Sequence, residues 1–410
     1  MPQVDLRAPE DVAGLAIVFM ATRALSEALV APLSDADAAI QSMDDASPAK
    51  WHLAHTTWFW ETFLLRDHGP GYGLWRDDWP FLFNSYYEGE GERIARARRG
   101  MLSRPSLAEV LEWRAHVTEA MSPLLADPAL EPLIRLGIAH EQQHQELLLT
   151  DIKHALFQNP LGPAMFDDAA HPKAEPSELG WHSHPGGLAM IGHSGDGFAF
   201  DNEGPRHRVF LEPFALADRL ATNGEWQDFI DDGGYRKAAL WLSDGWAWVQ
   251  QERIEAPLYW REGQHFTYQG WVEREPGAPV THISYFEADA FATWASARLP
   301  SECEWETIAQ GHDPTGGNQL DAAAPPQPAG GSDVFGDCWQ FTRSAYLPYP
   351  RFRPAEGAVG EYNGKFMSGQ VVLRGASCAT VRGHSRASYR TFFYPHQRWQ
   401  FTGLRLAKYA

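Results

Sequence analysis

The sequence predicts an α+β protein in two parts: a bundle of four long helices over residues 1–165, then a domain of short strands, short helices and irregular chain over residues 166–410. Three observations carry this expectation. Apolar residues recur every three or four positions from Asp11 to about Leu156. Beyond Gly187 they come instead in short runs broken by glycine. A chain of 410 residues also exceeds what one hydrophobic core usually organises.

The helical segments are, in order, DVAGLAIVFMATRALSEALV, PAKWHLAHTTWFWETFLLRD, SLAEVLEWRAHVTEAMSPLLA and EPLIRLGIAHEQQHQELLLTDIKHALF. Ser106, with Glu109 three residues on, forms the capping box that opens the third. Pro160 and Pro163 end the fourth, because proline cannot continue a helix interior. The aperiodic stretch between Asn159 and Gly187 is read as the connection between domains. After it, GGLAMIGHSG, HRVFLEPFALA, VVLRGASC and FTGLRLAKY have the character of strands. TNGEWQDFIDDGG and SYFEADAFATWASAR have that of short helices, and AAAPPQPAGGS at 322–332 is a loop. Seventeen tryptophans, many in the irregular half, point to a rigid, loop-rich second domain.

Composition narrows the function. Against 34 basic residues stand 53 acidic ones, a formal charge of −19, which argues against a nucleic-acid partner and against a basic membrane-binding face. The N-terminus lacks the basic start and apolar core of a signal peptide, and no stretch approaches the ~20 apolar residues of a membrane span. Cys303, Cys338 and Cys378 are too few and scattered for a disulfide framework or a thiolate zinc site, so a reducing cytoplasm is expected.

The histidines are the sharpest signal. In IAHEQQHQE, His140 and His144 are four apart on a helix, which sets both imidazoles on one face. His52 and His55, in WHLAHTTWFW, lie on a second helix, and either can complete a site from across the bundle. Three imidazoles without a cysteine favour Fe, Zn, Cu or Ni and leave coordination positions open. Glu146 is either an acceptor for a ligand imidazole or an ordinary helix carboxylate. The remaining histidines, His154, His282 and His384 among them, have no comparable spacing and are read as structural or surface residues.

The runs WHLAHTTWFWETFLL, HEQQHQE and YRTFFYPHQRWQFTGLRLAK together resemble the sulfoxide-synthase family of ergothioneine biosynthesis (EgtB-like), including its selenium-handling branch, the selenoneine synthases (SenA-like). The resemblance spans nearly the whole chain. It implies a DinB-like helical bundle followed by a formylglycine-generating-enzyme-like (C-type-lectin-like) domain, the latter signalled by PGGLAMIGH, FDNEGPRHRVFL, TNGEWQDFI, ARLPSECEWE and RGASC. It also implies an Fe(II) cofactor on His55, His140 and His144, and dioxygen as co-substrate. By the same resemblance Gln143 hydrogen-bonds hercynine, a trimethylated histidine, and Tyr86 or Tyr87 is the catalytic phenol. Arg93, Arg96 and Arg99 suit an oxygen-rich donor substrate, and Thr391, Phe392 and Phe393 stand where the family holds hercynine. The separated cysteines do not suit formylglycine generation, which needs a reactive pair.

Three departures bear on the donor. The family's usual His-Pro in the arginine segment is Ile94-Ala95, its frequent Trp-Glu-Trp-Thr is Trp339-Gln340-Phe341-Thr342, and its expected Asn is Thr391. Two of these remove charge or hydrogen-bonding capacity that an amino-acid thiol would meet. The expectation is therefore oxidative coupling of selenium from a selenosugar to hercynine, with cysteine or γ-glutamylcysteine as the alternative, sulfur-bearing donor. A non-oxidative DinB-like thiol transferase and a lectin-like scaffold with a structural metal are the readings from other classes.

Overall fold

The computed structural model describes residues 12–166, 174, 177–195, 197–355 and 363–410. The first eleven residues, and with them the reading of the N-terminus, lie outside these, as does part of the 159–187 connection.

Four long helices form the bundle, as the periodicity predicts: α1 (Val12–Val30), α3 (Ala49–Trp60), α5 (Leu107–Ala120) and α6 (Glu131–Gln158), with the short α2 (Asp35–Ala39) and α4 (Trp79–Phe83) between them. α6 packs on α1 and α3, and α5 packs on α3. The Ser106–Glu109 capping box is present, each side chain bonding the other's backbone N–H. α3 runs on into a π-helical turn, Glu61–Arg66, where the buried Glu61 carboxylate accepts from the Tyr72 hydroxyl and the Trp75 amide. α6 ends at Gln158, just before Pro160.

The stretch read as connection contains a strand, β1 (Trp181–His184), paired antiparallel with β4 (Phe214–Ala217), which also pairs with β12 (Ala407–Tyr409) at the far end of the chain. β2 (Gly187–Ile191) and β3 (His207–Leu211) form a separate two-stranded ribbon. Hence HRVFLEPFALA is two strands, β3 and β4, separated by Glu212-Pro213. The helices α7 (Asn223–Asp231), α8 (Ser243–Glu252), α9 (Tyr285–Trp294) and α10 (Glu302–Ala309) follow, interleaved with the meander β5 (Trp260–Arg261), β6 (Gln264–Thr267), β7 (Gly270–Glu273). A four-stranded sheet of order β10-β9-β8-β11 joins Thr391–Phe393, Val371–Gly375, Trp339–Ala345 and Thr402–Gly403.

α6 is buried on nearly every face of its C-terminal two thirds because it has a bundle on one side and the second domain on the other. Its polar side chains reach across that boundary to Trp339, Ser377, Thr380, His384, Tyr389, Trp399 and His282. This explains how a helix of low mean hydropathy is so thoroughly covered: its buried polar groups find partners across the seam rather than water. Among the described residues no helix is long and apolar enough to cross a membrane.

Candidate metal centre and active-site cavity

α3 and α6 bring His55, His140 and His144 together, with one nitrogen of each ring within 4.8 Å of the others. His55 Nδ1 lies 2.6 Å from the Phe83 carbonyl, and a carbonyl only accepts, so Nδ1 carries the proton. Its Nε2 is left with a lone pair, facing His140 Nε2 at 3.2 Å. Two nitrogens on one transition ion stand about 3 Å apart for a metal–nitrogen bond of about 2.1 Å and a bond angle near a right angle. The triad thus has the spacing to hold one metal ion, and three such ligands would leave other coordination positions open.

The ring orientations follow from the sequence. Trp51 and Trp58 sit four residues before and three after His55, on the same helix face, and their indoles stack on its two sides at 4.7 and 5.5 Å, each tilted 13°. Phe59 packs on His140 at 4.7 Å. Burial, before any neighbouring charge, depresses the pKa of all three imidazoles, that of His140 to about 3. At neutral pH they are uncharged, the form that binds metal.

Above the triad opens a cavity of about 440 Å³ walled by both domains. Of the residues the sequence singles out, it gathers Tyr86, Arg96, Arg99, Gln143, His144, Thr391, Phe392 and Phe393. His55 and His140 are fully buried beneath it. Two more of the singled-out residues are outside its wall. Tyr87 is buried among Trp58, Phe59 and Phe63, stacked behind Tyr86 at 4.9 Å. Arg93 pairs with Glu88 at 2.7 Å near the surface.

Arg99 is the buried cation of the group. Its guanidinium lies 3.4 Å over Trp51 and bonds Ser47 Oγ and Ser85 Oγ, each at 2.9 Å. Among the described residues no carboxylate pairs with it, and burial lowers its pKa, followed in effect by the nearby Arg96. An anionic group entering the cavity would find an unneutralised charge here.

Glu146 turns out to do something neither sequence reading describes. Its carboxylate accepts from Trp339 Nε1 (2.7 Å), Ser377 Oγ (2.5 Å) and Thr380 Oγ1 (2.9 Å), all from the second domain, so it ties the two domains together two residues beyond His144. Gln143, one residue before His144, donates from Nε2 to the Tyr389 hydroxyl at 2.5 Å.

With this geometry in view, comparison with known proteins is informative. Residues 19–148 match the DinB superfamily, and residues 171–324 match the sulfatase-modifying factor enzyme 1-like domain. The hercynine oxygenase of Mycolicibacterium smegmatis is 34% identical over 402 residues, covering 88% of this chain and 91% of that protein. The hercynine oxygenase of Mycobacterium tuberculosis is 33% identical, covering 91% and 93%. The chain belongs to the hercynine oxygenase family.

Membership in the hercynine oxygenase family makes it an oxidative enzyme built from a DinB-like bundle and a formylglycine-generating-enzyme-like domain. The formylglycine-generating enzyme of Thermomonospora curvata is 33% identical over 164 residues, covering 34% of this chain and 52% of that protein. Within the hercynine oxygenase frame the cysteines are inert. Burial raises the pKa of Cys303 to about 12 and holds those of Cys338 and Cys378 well above the ordinary thiol value, so none is a thiolate at neutral pH.

Sequence reasoning passes over four residues that the structure sets at the site: Tyr389, His384, Asp151 and Trp399. His384 is buried, its Nδ1 3.0 Å from Gln142 Oε1 and its Nε2 3.3 Å from the Tyr389 hydroxyl. The one usable signal was Asp151, seven residues beyond His144 and so on the same face of α6.

Proposed function

We propose that this enzyme couples a chalcogen to imidazole C2 of hercynine, using dioxygen and Fe(II) held by His55, His140 and His144. The observation that carries the reading is the convergence of three neutral imidazoles on one point, under a cavity with walls from both domains. The balance is simple: C2 and the chalcogen each give up a hydrogen, one oxygen atom ends on the chalcogen, and the other leaves as water. When bound, Fe(II) supplies the one-electron chemistry that lets triplet dioxygen react with closed-shell substrates.

The protein's own contribution is to hold and orient. Gln143 is proposed to hydrogen-bond the hercynine imidazole, and the Phe392 and Phe393 rings to face its trimethylammonium, a cation–π attraction of about 0.5–2 kcal/mol. Tyr86, on the cavity wall, is the phenol in position to exchange a proton with the substrates; Tyr87, stacked behind it, supports its ring. For the donor we propose a selenosugar. This rests on the departures from the family pattern at Ile94-Ala95, Gln340-Phe341 and Thr391, two of which remove charge or hydrogen-bonding capacity that a second charged amino acid would meet. The unneutralised Arg99, with Arg96 beside it on the same wall, favours the second reading, a carboxylate-bearing thiol such as γ-glutamylcysteine.

The test is to incubate the iron-loaded protein with hercynine and each donor in air and without oxygen, reading product mass. A C2–selenium product with the selenosugar, formed only in air, is expected. Equal turnover without oxygen ends the oxidative scheme, and a product with the thiol donor alone assigns the sulfur reading.

A further inference from the structure

His52 is not one of the three proposed ligands, yet it touches one. Its Nδ1 lies 2.9 Å from His144 Nδ1, and its Nε2 lies 3.0 Å from Asp151 Oδ2. Asp151 is held in turn: Oδ2 accepts from the Ser47 amide at 2.8 Å, and Oδ1 accepts from Trp399 Nε1 at 3.0 Å. All four side chains, His144, His52, Asp151 and Trp399, are buried.

We infer that His52 and Asp151 form a relay that fixes the tautomer of His144 and so turns its Nε2 lone pair toward the metal position. The inference rests on the reading of His144 as a metal ligand. For a neutral His52 the steps follow from donor and acceptor inventory. The Asp151 carboxylate accepts only, so His52 Nε2 is the donor in that contact. A neutral imidazole has a single N–H, so His52 Nδ1 is an acceptor. His144 Nδ1 must then donate, which leaves His144 Nε2 unprotonated, on a ring 4.7 and 4.6 Å from those of His55 and His140.

The arrangement has chemical value because a neutral histidine in water prefers the Nε2–H form, the wrong one for ligation through Nε2. His55 solves the same problem with the Phe83 carbonyl. His144 has no such carbonyl in this contact and borrows an acceptor through His52 instead. Since one oxygen of Asp151 is occupied by Trp399, the second domain takes part in setting a ligand on the bundle. His52 and Asp151 are therefore positioning residues rather than catalytic ones.

The experiment has two arms. In the metal-free full-length protein, two-bond proton–nitrogen correlations of labelled histidines read each tautomer directly. His144 as Nδ1–H and His52 as Nε2–H are expected; His144 as Nε2–H overturns the relay. In the second arm Co(II) affinity and its ligand-field spectrum are compared for wild type, His52→Phe and His52→Gln. His52→Phe should bind Co(II) about 10- to 100-fold more weakly with an altered spectrum. His52→Gln keeps the polarity, with Oε1 accepting from His144 and Nε2 donating to Asp151, and should recover most of the loss. Wild-type affinity and spectrum in His52→Phe sink the relay. If wild type itself takes up no Co(II), the metal reading fails, and the tautomers of the first arm still decide the relay on their own. A purely structural role for His52 would lower thermal stability while leaving the His144 tautomer unchanged, which also counts against it.

Discussion

The Tyr389 hydroxyl accepts a hydrogen bond from Gln143 Nε2 across 2.5 Å, so a side chain of the second domain decides which way the amide beside His144 points. Tyr389 is well placed to do so, being stacked on Trp339 at 5.5 Å and contacted by His384. Tyr389→Phe should let the amide rotate. With one hydrogen bond worth about 0.5–1.5 kcal/mol, the KM for hercynine should rise by about 2- to 12-fold, with metal content unchanged. Steady-state kinetics beside metal analysis checks this; an unchanged KM with reduced metal would show that Gln143 orientation is not what Tyr389 controls.

Glu146 gives a prediction of the opposite kind. Three donors from Trp339, Ser377 and Thr380 converge on its carboxylate. Burial raises its pKa, an effect those hydrogen bonds partly offset. Glu146→Gln must turn its NH₂ toward at least one of the donors, so unfolding free energy should fall by about 1–3 kcal/mol. Urea denaturation reads the loss, and Co(II) affinity should stay near wild type. A variant that loses metal affinity first and keeps its stability would restore the idea of Glu146 as an imidazole acceptor.

The bundle was legible because its cue is local: each long helix carries its own apolar stripe, and the pairing of His140 with His144 needs only the helical repeat. That His55 meets this pair was legible only through the resemblance, which chose it over His52. What stayed hidden depends on the seam between domains. Tyr389, His384 and Trp399 lie more than 230 residues along the chain from their partners on α6, and nothing local marks which side chains of that region reach the helix. β5 to β7 were missed because strands of two to four residues with charged members leave no alternation to read. α10, at eight residues, is announced only by the Ser301–Glu304 capping box.

Lys153 offers a test of the seam by pH. Its amine is buried on α6, 2.8 Å from His282 Nε2 and over the rings of Phe401 and Tyr259. Desolvation lowers its pKa from 10.5 to about 7. The unfolded chain takes up this proton near pH 10.5 and the folded chain only near 7, so between those values the unfolded state binds more protons and stability falls as pH falls. Below about 7 the penalty is constant. Lys153→Met should therefore be more stable than wild type at pH 7, on the order of 2–4 kcal/mol after allowing for the lost contact with His282, and the gap should close toward pH 10. Equal stability of the two proteins at all pH values would mean that the amine stays charged and solvated in the native state.

His140→Ala separates a catalytic metal from a structural one. The bundle has its own cross-ties next to the triad: the fully buried Glu141 accepts from Arg23, Arg114, Ser26 and Trp60, joining α1, α3, α5 and α6 without help from a metal. Desolvation would raise the Glu141 pKa, but Arg114 and Arg23 hold it well below the usual carboxylate range. Removing Glu141 leaves the buried Arg23 guanidinium without a carboxylate and Arg114 with only the half-exposed Glu27, so Glu141→Ala should cost about 3–5 kcal/mol. His140→Ala removes one ring from a packed but separately braced site, and should stay within about 3 kcal/mol of wild type. Its metal content and turnover, by contrast, should fall to background, while Glu141→Ala should lose stability first. Calorimetry with metal analysis on both variants decides the matter: if chelation or His140→Ala unfolds the bundle as Glu141→Ala does, the metal is a brace and the catalytic reading loses its footing.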